Sequence, residues 1–325
     1  MLRRWARRTA FLLLSAPLAL FAQTTPTNPK VQPAPAERSV ASPERAPTIK
    51  VDVKLVNVFV SVTGAKGEPI NDLKKEDFAL TEDGVPQKIA LFAPQTSLPL
   101  SIILAIDTSL STAGDLKFEE QSAQRFVRAV LDAGNHDALS LYSFSRDVNQ
   151  VVPFTSDLRR IDRGIEDLEA VSSTSLYDAV YLGAQTLASR EGRRVMVVIT
   201  DGGDNGSSVS YADALRAAQT AQVMLYSIII VPVPSSAGRD TGGEHALIQL
   251  SHDSGARAYY ADSMAALDQV FHNIGAELRN QYLLGYYPVR RLSDSDFREV
   301  KVSLTPPHSD FTLRYRSGYY TSKIE

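Results

Sequence analysis

Two aspartates stand where apolar segments end, and one of them opens a run of alternating polar residues. Asp107 begins the sequence Asp-Thr-Ser-Leu-Ser, which places Ser109 and Ser111 at alternate positions, and Asp201 follows a second apolar run. A tight loop turns alternate side chains toward one point, so Asp107, Ser109 and Ser111 can converge on a single ion. Carboxylate and hydroxyl oxygens are hard ligands that suit Mg²⁺, Mn²⁺ or Ca²⁺ and do not favour zinc or copper. The sequence therefore predicts a divalent-cation site.

The charge of these side chains limits how completely they can surround a cation. The two aspartates supply two negative charges, whereas serine hydroxyls supply none. Such a set leaves an octahedral ion incompletely coordinated, so water or a carboxylate from another molecule can take the remaining position. An alternative interpretation is that Asp107, Ser109 or Ser111 only caps the helix that follows, since these residue types are common helix N-caps.

The elements that must position these residues alternate between short apolar runs and amphipathic stretches from residue 96 to residue 280. Strands are predicted over residues 100–106, 138–144, 195–200, 223–231 and 257–260, a short extended piece over 148–154, and helices over 115–131, 158–168, 176–189, 211–221, 244–251 and 264–279. This pattern predicts an α/β fold with a doubly wound, mostly parallel, Rossmann-like sheet and helices on both faces. Ligands of such sheets bind beyond the carboxyl ends of strands, where the strand order reverses. Asp107 and Asp201 meet there if their strands are neighbours.

The flanks at residues 49–95 and 281–325 follow a β pattern instead. Strands are predicted over residues 51–62, 89–92, 282–287, 299–304 and 311–316, separated by turns rich in Gly, Asp, Ser and Pro. The N-terminal flank is too short to form a sandwich alone. We expect the two flanks to pair with each other into one small β-sandwich, which would bring the ends of the α/β domain together.

The N-terminal residues have the composition of a targeting segment. In residues 1–22, four arginines precede an apolar run that ends at a small residue, which predicts a secretory signal peptide; an uncleaved anchor is the alternative. Residues 23–48 are rich in Pro, Ala and Thr and predict a disordered linker. The chain has no cysteine, which excludes disulfides and lipid attachment at the cleavage site. We expect an exported protein, periplasmic or secreted to the cell surface, with no integral membrane span after signal cleavage.

Composition and missing motifs narrow the possible functions. The 325 residues carry a formal net charge of -3, with 44% hydrophobic and 22% charged residues, so no strong basic field points to a nucleic-acid partner. The sequence lacks the glycine-rich phosphate-binding motifs and the Gly-x-Ser-x-Gly of serine hydrolases. His245 and His252 are seven residues apart, but no cysteine or acidic pair completes a zinc site with them.

Three segments together resemble the metal-ion-dependent adhesion site of von Willebrand factor type A (vWA) domains. Residues 107–111 match its Asp-x-Ser-x-Ser motif, residues 172–178 resemble the loop that supplies its threonine, here Thr174, and residues 200–202 match its Thr-Asp-Gly segment. The threonine loop departs from the family in carrying Ser172 and Ser173 where glycines are common. The flanks, with Glu82-Asp83-Gly84 and residues 281–288, are similar to a secreted bacterial VWFA-related family described from acidobacteria.

The resemblance implies a protein-binding module and no enzyme. A divalent cation would be held by five side chains, those of Asp107, Ser109, Ser111, Thr174 and Asp201, and an acidic side chain of a protein ligand would complete its coordination. Two alternatives remain open. One open cation site could polarise a phosphoryl group in a metal-dependent hydrolase, or the ion could only stabilise a structural component of the cell envelope.

Overall fold

The computed structural model describes residues 55–94, 97–109, 116–131, 136–171, 173–231, 241–290 and 297–321. The predicted signal peptide, the predicted linker and Ser111 lie outside these residues, as do residues 51–54 of the first predicted strand.

The described residues form fourteen β-strands and six α-helices in the order expected for an α/β domain flanked by β segments. The strands are β1 (Val56–Thr63), β2 (Phe78–Glu82), β3 (Val85–Gln87), β4 (Ile89–Ala93), β5 (Leu100–Asp107), β6 (Ala138–Phe144), β7 (Val148–Thr155), β8 (Arg193–Thr200), β9 (Val223–Ile230), β10 (Ala258–Ala261), β11 (Gln281–Tyr286), β12 (Phe297–Leu304), β13 (Thr312–Arg314) and β14 (Gly318–Tyr320). The helices are α1 (Leu116–Leu131), α2 (Leu158–Glu166), α3 (Leu176–Ala188), α4 (Tyr211–Thr220), α5 (Thr241–Ser254) and α6 (Met264–Arg279).

The central sheet has six strands in the order β10-β9-β8-β5-β6-β7. All neighbours run parallel except β7, which is antiparallel to β6. From β5 the chain first builds outward through β6 and β7, and then returns to the other side of β5 with β8. The order therefore reverses between β5 and β8, and both strands are apolar and buried on both faces, as parallel strands covered by helices should be.

Alternate residues of β5 enter two separate cores, one on each face of the sheet. Ile102 and Leu104 pack with residues of α1, α2 and α6, including Phe126, whose ring stacks on Phe271 at 4.5 Å. Ile103 lies on the opposite face, in a core shared with α3, α4 and α5. This arrangement confirms the predicted doubly wound sheet. In the described part of the chain, no helix combines the length and apolar character needed to cross a membrane.

The two flanks form a pair of four-stranded antiparallel sheets, in the orders β13-β1-β11-β4 and β14-β12-β2-β3. Each sheet combines strands from both ends of the chain; for example Val58 pairs with Leu284, and Leu80 pairs with Val302. β12 alternates strictly between exposed and buried residues, and its buried residues share one core with β1, β2 and β11. The predicted pairing of the flanks into a small sandwich is confirmed.

The sequence pattern missed three short strands of this sandwich. β2 and β3 form a hairpin whose turn residues, Asp83 and Gly84, both have positive φ (49° and 77°), as a tight two-residue hairpin turn requires. β14 has only three residues. Strands of three to five residues contain too few alternations for a period of two to be visible. The predicted helix at 244–251 was also too short, since α5 runs from Thr241 to Ser254.

Candidate metal centre

The predicted acids lie at the carboxyl edge of the central sheet, where the strand order reverses. β5 and β8 are parallel neighbours with Ile106 opposite Ile199, so Asp107 and Thr200 end their strands side by side. The Thr200 hydroxyl donates a hydrogen bond of 2.7 Å to Oδ2 of Asp107. Its oxygen in turn accepts a 3.1 Å hydrogen bond from the backbone N–H of Gly202. Thr200 thus ties the aspartate of the first motif to the loop that carries Asp201.

Asp107 is fully buried, and its carboxylate is held by short contacts. The backbone N–H of Ser109 donates to Oδ1 at 2.8 Å, while the Thr200 hydroxyl holds Oδ2. The pKa of Asp107 is raised to about 6, chiefly by burial and to a smaller extent by the negative charge of Asp201, while the hydrogen bonds from Thr200 and Ser109 act in the opposite direction. The two carboxylates therefore lie close enough to repel each other. A bound cation would offset both the free-energy cost of burying the Asp107 carboxylate and its repulsion from Asp201.

Backbone contacts bring the threonine loop alongside the first motif. The N–H of Thr108 donates to the carbonyl of Phe144 at 2.9 Å, and the N–H of Val171 donates to the carbonyl of Thr108 at 2.7 Å. Ser109 and Val171 form an isolated parallel bridge. These bonds place the start of the loop beside Ser109, whose side chain is buried with that of Thr174.

Asn205 joins the threonine loop to the loop that follows Asp201. The Asn205 side-chain oxygen accepts a hydrogen bond from the N–H of Thr174 at 2.9 Å, and the Thr174 carbonyl accepts from the N–H groups of Asn205 and Gly206 at 3.0 and 2.9 Å. Asn205 therefore bonds to Thr174 through both its side chain and its backbone. The structure shows that it positions Thr174.

Four of the five predicted metal residues are thus assembled by bonds between three loops at one edge of the sheet. These residues are Asp107, Ser109, Thr174 and Asp201. Asp201 is partly exposed, so the site is accessible from solvent. The described residues contain no cluster of three or more His, Cys, Asp or Glu side chains suited to a metal. The donor set is therefore two carboxylates with hydroxyls, which fits a hard divalent cation with an incomplete shell.

Residues 102–203 match the family model described as the von Willebrand factor type A domain. The chain contains a vWA domain. A curated relative, an uncharacterized protein of Borreliella burgdorferi, is 25% identical over 159 residues, which span 46% of this chain and 46% of the relative. The match therefore covers less than half of that protein.

Solved structures with a similar fold come from several bacteria. The vWF domain of the type V pili tip protein Mfa5 from Porphyromonas gingivalis is 15% identical, covers 55% of this chain and 95% of its own, and has a TM-score of 0.45. The conserved hypothetical protein BatB from Bacteroides thetaiotaomicron is 20% identical, with coverages of 54% and 97% and a TM-score of 0.43. A von Willebrand factor type A structure from Catenulispora acidiphila is 9% identical, with coverages of 84% and 74% and a TM-score of 0.47.

Ser172 lies outside the described residues, whereas the structure shows how the threonine loop of this vWA domain accommodates Ser173 in place of a glycine. Ser173 adopts φ of 75°, a left-handed conformation that favours glycine, and its hydroxyl donates to the side-chain oxygen of Asn205 at 2.8 Å. Gly206 makes room for it, because a Cβ at this position would lie 2.7 Å from Oγ of Ser173. The loop therefore keeps its path without the usual glycine.

Two aspartates near the vWA site serve as structural acceptors. The Asp178 carboxylate accepts hydrogen bonds from the N–H groups of Ser208 and Val209 at 2.9–3.0 Å. Oδ1 of Asp204 accepts from the N–H of Tyr177 at 3.3 Å. Both aspartates thus fasten the loop after Asp201 to the start of α3.

Glu244, which no sequence motif singled out, packs against Gly202 of the Thr-Asp-Gly loop. Gly202 has φ of 101°, and a Cβ there would lie 3.4 Å from Cγ of Glu244. Glu244 is 6% exposed, and the Tyr260 hydroxyl donates to its Oε2 at 3.0 Å. The only signal in the sequence was an acid in the first turn of a predicted helix, a common feature that carries no information about the long-range contact.

Proposed function

We propose that this vWA domain binds a divalent cation, Mg²⁺ or alternatively Mn²⁺ or Ca²⁺, and uses it to bind an acidic side chain of a protein partner. The ligands we propose are Asp107, Ser109, Ser111, Thr174 and Asp201. The observation that carries the proposal is the hydrogen bond from the Thr200 hydroxyl to Asp107, since it joins the ends of β5 and β8 and brings two carboxylates to one edge.

The proposed residues have separate roles. Asp107 and Asp201 would supply negative charge, and Ser109, Ser111 and Thr174 would supply neutral hydroxyl oxygens. When bound, the cation would act as a Lewis acid that attracts an anionic oxygen. Because the protein provides two negative charges, a divalent cation would be only just neutralised, and a carboxylate from a partner could still be attracted to it. The partial exposure of Asp201 gives that carboxylate access.

We further propose that the protein is exported and acts outside the cytoplasm, as its N-terminal residues suggest, and that it is a binding protein and not an enzyme. The partner is then a protein of the periplasm or the cell surface with an exposed acidic residue. The net charge of -3 favours no nucleic-acid partner.

Metal binding is tested by calorimetric titration of chelator-treated protein with MgCl₂, MnCl₂ and CaCl₂. We expect one cation per chain for the wild type and none for Asp107→Ala. Asp137→Ala is the matched control, since Asp137 accepts a hydrogen bond of 2.7 Å from the N–H of Leu100 at the opposite end of β5. Equal binding by wild type and Asp107→Ala would contradict the proposed site.

Partner binding is tested by capture from a cell-envelope extract on immobilised protein, in Mg²⁺ and in chelator. We expect a captured protein that is released by chelator, is absent with Asp107→Ala and is retained with Asp137→Ala. Capture that is indifferent to chelator and to Asp107→Ala would contradict metal-bridged recognition. Turnover of phosphatase or esterase substrates with Mg²⁺ that is lost in Asp107→Ala would instead support a metal-dependent enzyme.

A further inference from the structure

A cavity of about 710 Å³ lies where the edge of the vWA sheet meets the sandwich. It is bounded by α5 and β10 on one side and by β12, β13 and the residues after β13 on the other. Its lining includes His252, Arg257, Glu299, Lys301, Leu313 and Arg314. The volume is in the range of ligand pockets, which are common at junctions between substructures. None of the proposed metal ligands lines it.

The lining is positively charged in a chain whose net charge is negative. Arg257, Lys301 and Arg314 face the cavity together with a single acid, Glu299. Within the ranges that the structure describes, none of these three cations forms an ion pair. His252 lies 3.1 Å from the Asp253 carboxylate. A cavity with three such cations and one acid attracts anions.

The two arginines are held in place by contacts with neutral groups. The Arg257 guanidinium lies over the Tyr259 ring, 4.7 Å from its centroid. Arg314 donates from Nη1 to the Thr63 hydroxyl at 3.2 Å. A cation–π contact and a neutral hydrogen bond orient a guanidinium without neutralising it. An anionic ligand would therefore meet side chains that are already ordered, which lowers the entropic cost of binding.

The walls of the cavity are fixed to each other by close backbone contacts. The N–H and the hydroxyl of Ser317 both donate to the carbonyl of Asp253 at 3.1 Å. Gly255 has φ of 86°, and a Cβ there would lie 2.3 Å from the backbone N of Arg316. Only glycine permits this approach between the end of α5 and the chain after β13. These contacts hold the two sides of the cavity at a fixed separation.

Apolar side chains share the lining with the cations. Leu313 and Tyr315 lie on the sandwich side, and Ile248 on α5 is 39% exposed. The three cations come from separate places, with Arg257 directly before β10, Lys301 on β12 and Arg314 on β13. A ligand that satisfies this lining carries several anionic groups spread along an elongated body with apolar parts.

We propose that this cavity is a second binding site, independent of the cation, for an acidic peptide segment in which carboxylates alternate with apolar side chains. The carboxylates pair with Arg257, Lys301 and Arg314, and the apolar side chains pack on Leu313 and Ile248. The proposal does not depend on the proposed metal function, because the two sets of residues are separate.

The test is fluorescence anisotropy on the full chain in the presence of EDTA. The probe is a fluorescein-labelled hexapeptide of alternating Glu and Leu, compared with alternating Gln and Leu. We expect saturable binding of the acidic peptide, weakened about tenfold in Arg257→Gln/Lys301→Glu and reduced by added salt. Lys88→Glu is the matched control, since Lys88 is exposed and lies outside the lining. It should bind like the wild type.

Several outcomes would overturn the proposal. Equal binding of the neutral hexapeptide, or undiminished binding by the double variant, would show that the cations do not recognise the ligand. Saturable binding of inorganic phosphate without binding of the acidic hexapeptide would assign the cavity to a small anion instead. The single variant Lys301→Glu, at an exposed position of β12, gives the same test while keeping Arg257. Thermal unfolding checks that each variant is folded.

Discussion

Glu82 in the sandwich and Asp107 in the vWA domain are both buried carboxylates, but their surroundings differ. Oε2 of Glu82 accepts hydrogen bonds from the hydroxyls of Tyr286 and Tyr319 at 2.7 and 2.8 Å, and the buried Arg298 lies 3.8 Å from Oε1. Asp107 accepts hydrogen bonds from the backbone N–H and the hydroxyl of Ser109 and from the hydroxyl of Thr200, and its charged neighbour is a second acid, Asp201.

The difference separates a carboxylate that stabilises the fold from one arranged for an external ligand. Around Glu82 the chain itself supplies donors and a cation, so the group holds β2, β11 and β12 together. Around Asp107 the chain brings two negative charges to one edge, an arrangement that costs stability until a cation arrives. We therefore expect changes at Glu82 to affect folding, and changes at Asp107 to affect metal binding.

The largest expected effect is on the stability of the sandwich. Glu82→Gln removes the negative charge that faces the buried Arg298, and it should lower the free energy of unfolding by about 3 kcal/mol. Urea denaturation measures the change, and Glu76→Gln, at an exposed acid just before β2, should stay within about 0.5 kcal/mol of the wild type. A loss under 1 kcal/mol for Glu82→Gln would contradict the stabilising role of this buried carboxylate.

The second prediction is a gain in stability for metal-free Asp107→Asn. The pKa of Asp107 is raised from 3.8 to about 6 in the folded protein, chiefly by burial. The folded state therefore holds a proton that the unfolded state has lost between those pH values, and metal-free wild type loses stability as pH rises through that window. At neutral pH the cost is at most about 3 kcal/mol, from about 1.4 kcal/mol per pKa unit.

This prediction is measured by denaturation of chelated protein at pH 4.5 and pH 7. The difference in unfolding free energy between Asp107→Asn and wild type should grow with pH in favour of the variant. Saturating Mg²⁺ should stabilise wild type and leave the variant unchanged. A difference between the two proteins that is independent of pH would contradict the role of burial and repulsion at this edge.

The third prediction concerns the residue that positions the threonine loop. Asn205→Ala removes the acceptor for the N–H of Thr174 and the hydroxyl of Ser173, so the loop should be less ordered and Mg²⁺ affinity should fall about tenfold. Calorimetric titration measures the affinity. Asn273→Ala, on the exposed face of α6, is the control and should bind like wild type.

The smallest expected effect tests whether Glu244 belongs to the metal site. Tyr260→Phe removes the hydroxyl that donates to Glu244 and leaves the ring in place. Since Glu244 packs against Gly202 and is not a proposed ligand, we expect a change in Mg²⁺ affinity of no more than about threefold. Tyr287→Phe, at a residue that is 51% exposed, serves as control. A loss as large as that of Asp107→Ala would place Glu244 within the site.

The fold of the vWA domain could be predicted because its strands are long, apolar runs between amphipathic helices. That pattern also predicted the edge of the sheet at which Asp107 and Asp201 lie. Chain order alone places both acids at the carboxyl ends of strands. The acidobacterial subfamily, the metal ligation and the export of the chain stay predictions.

The details that the sequence did not predict depend on contacts between distant residues. The hairpin at Asp83 consists of strands too short to show a period, and the partners of Glu82 lie more than 200 residues away. The contact of Glu244 with Gly202 depends on how α5 packs against the Thr-Asp-Gly loop. No local pattern encodes such contacts, so composition and spacing could not reveal them.

The most direct test of the cation site is a crystal structure of the protein soaked with MnCl₂, with anomalous difference density measured near the manganese absorption edge. We predict one peak at the carboxyl edge of the sheet, about 2.0–2.5 Å from hydroxyl oxygens of the proposed serines and threonine and near the Asp107 and Asp201 carboxylates. Well-ordered carboxylates at that edge with no anomalous peak between them, at saturating manganese, would contradict the account.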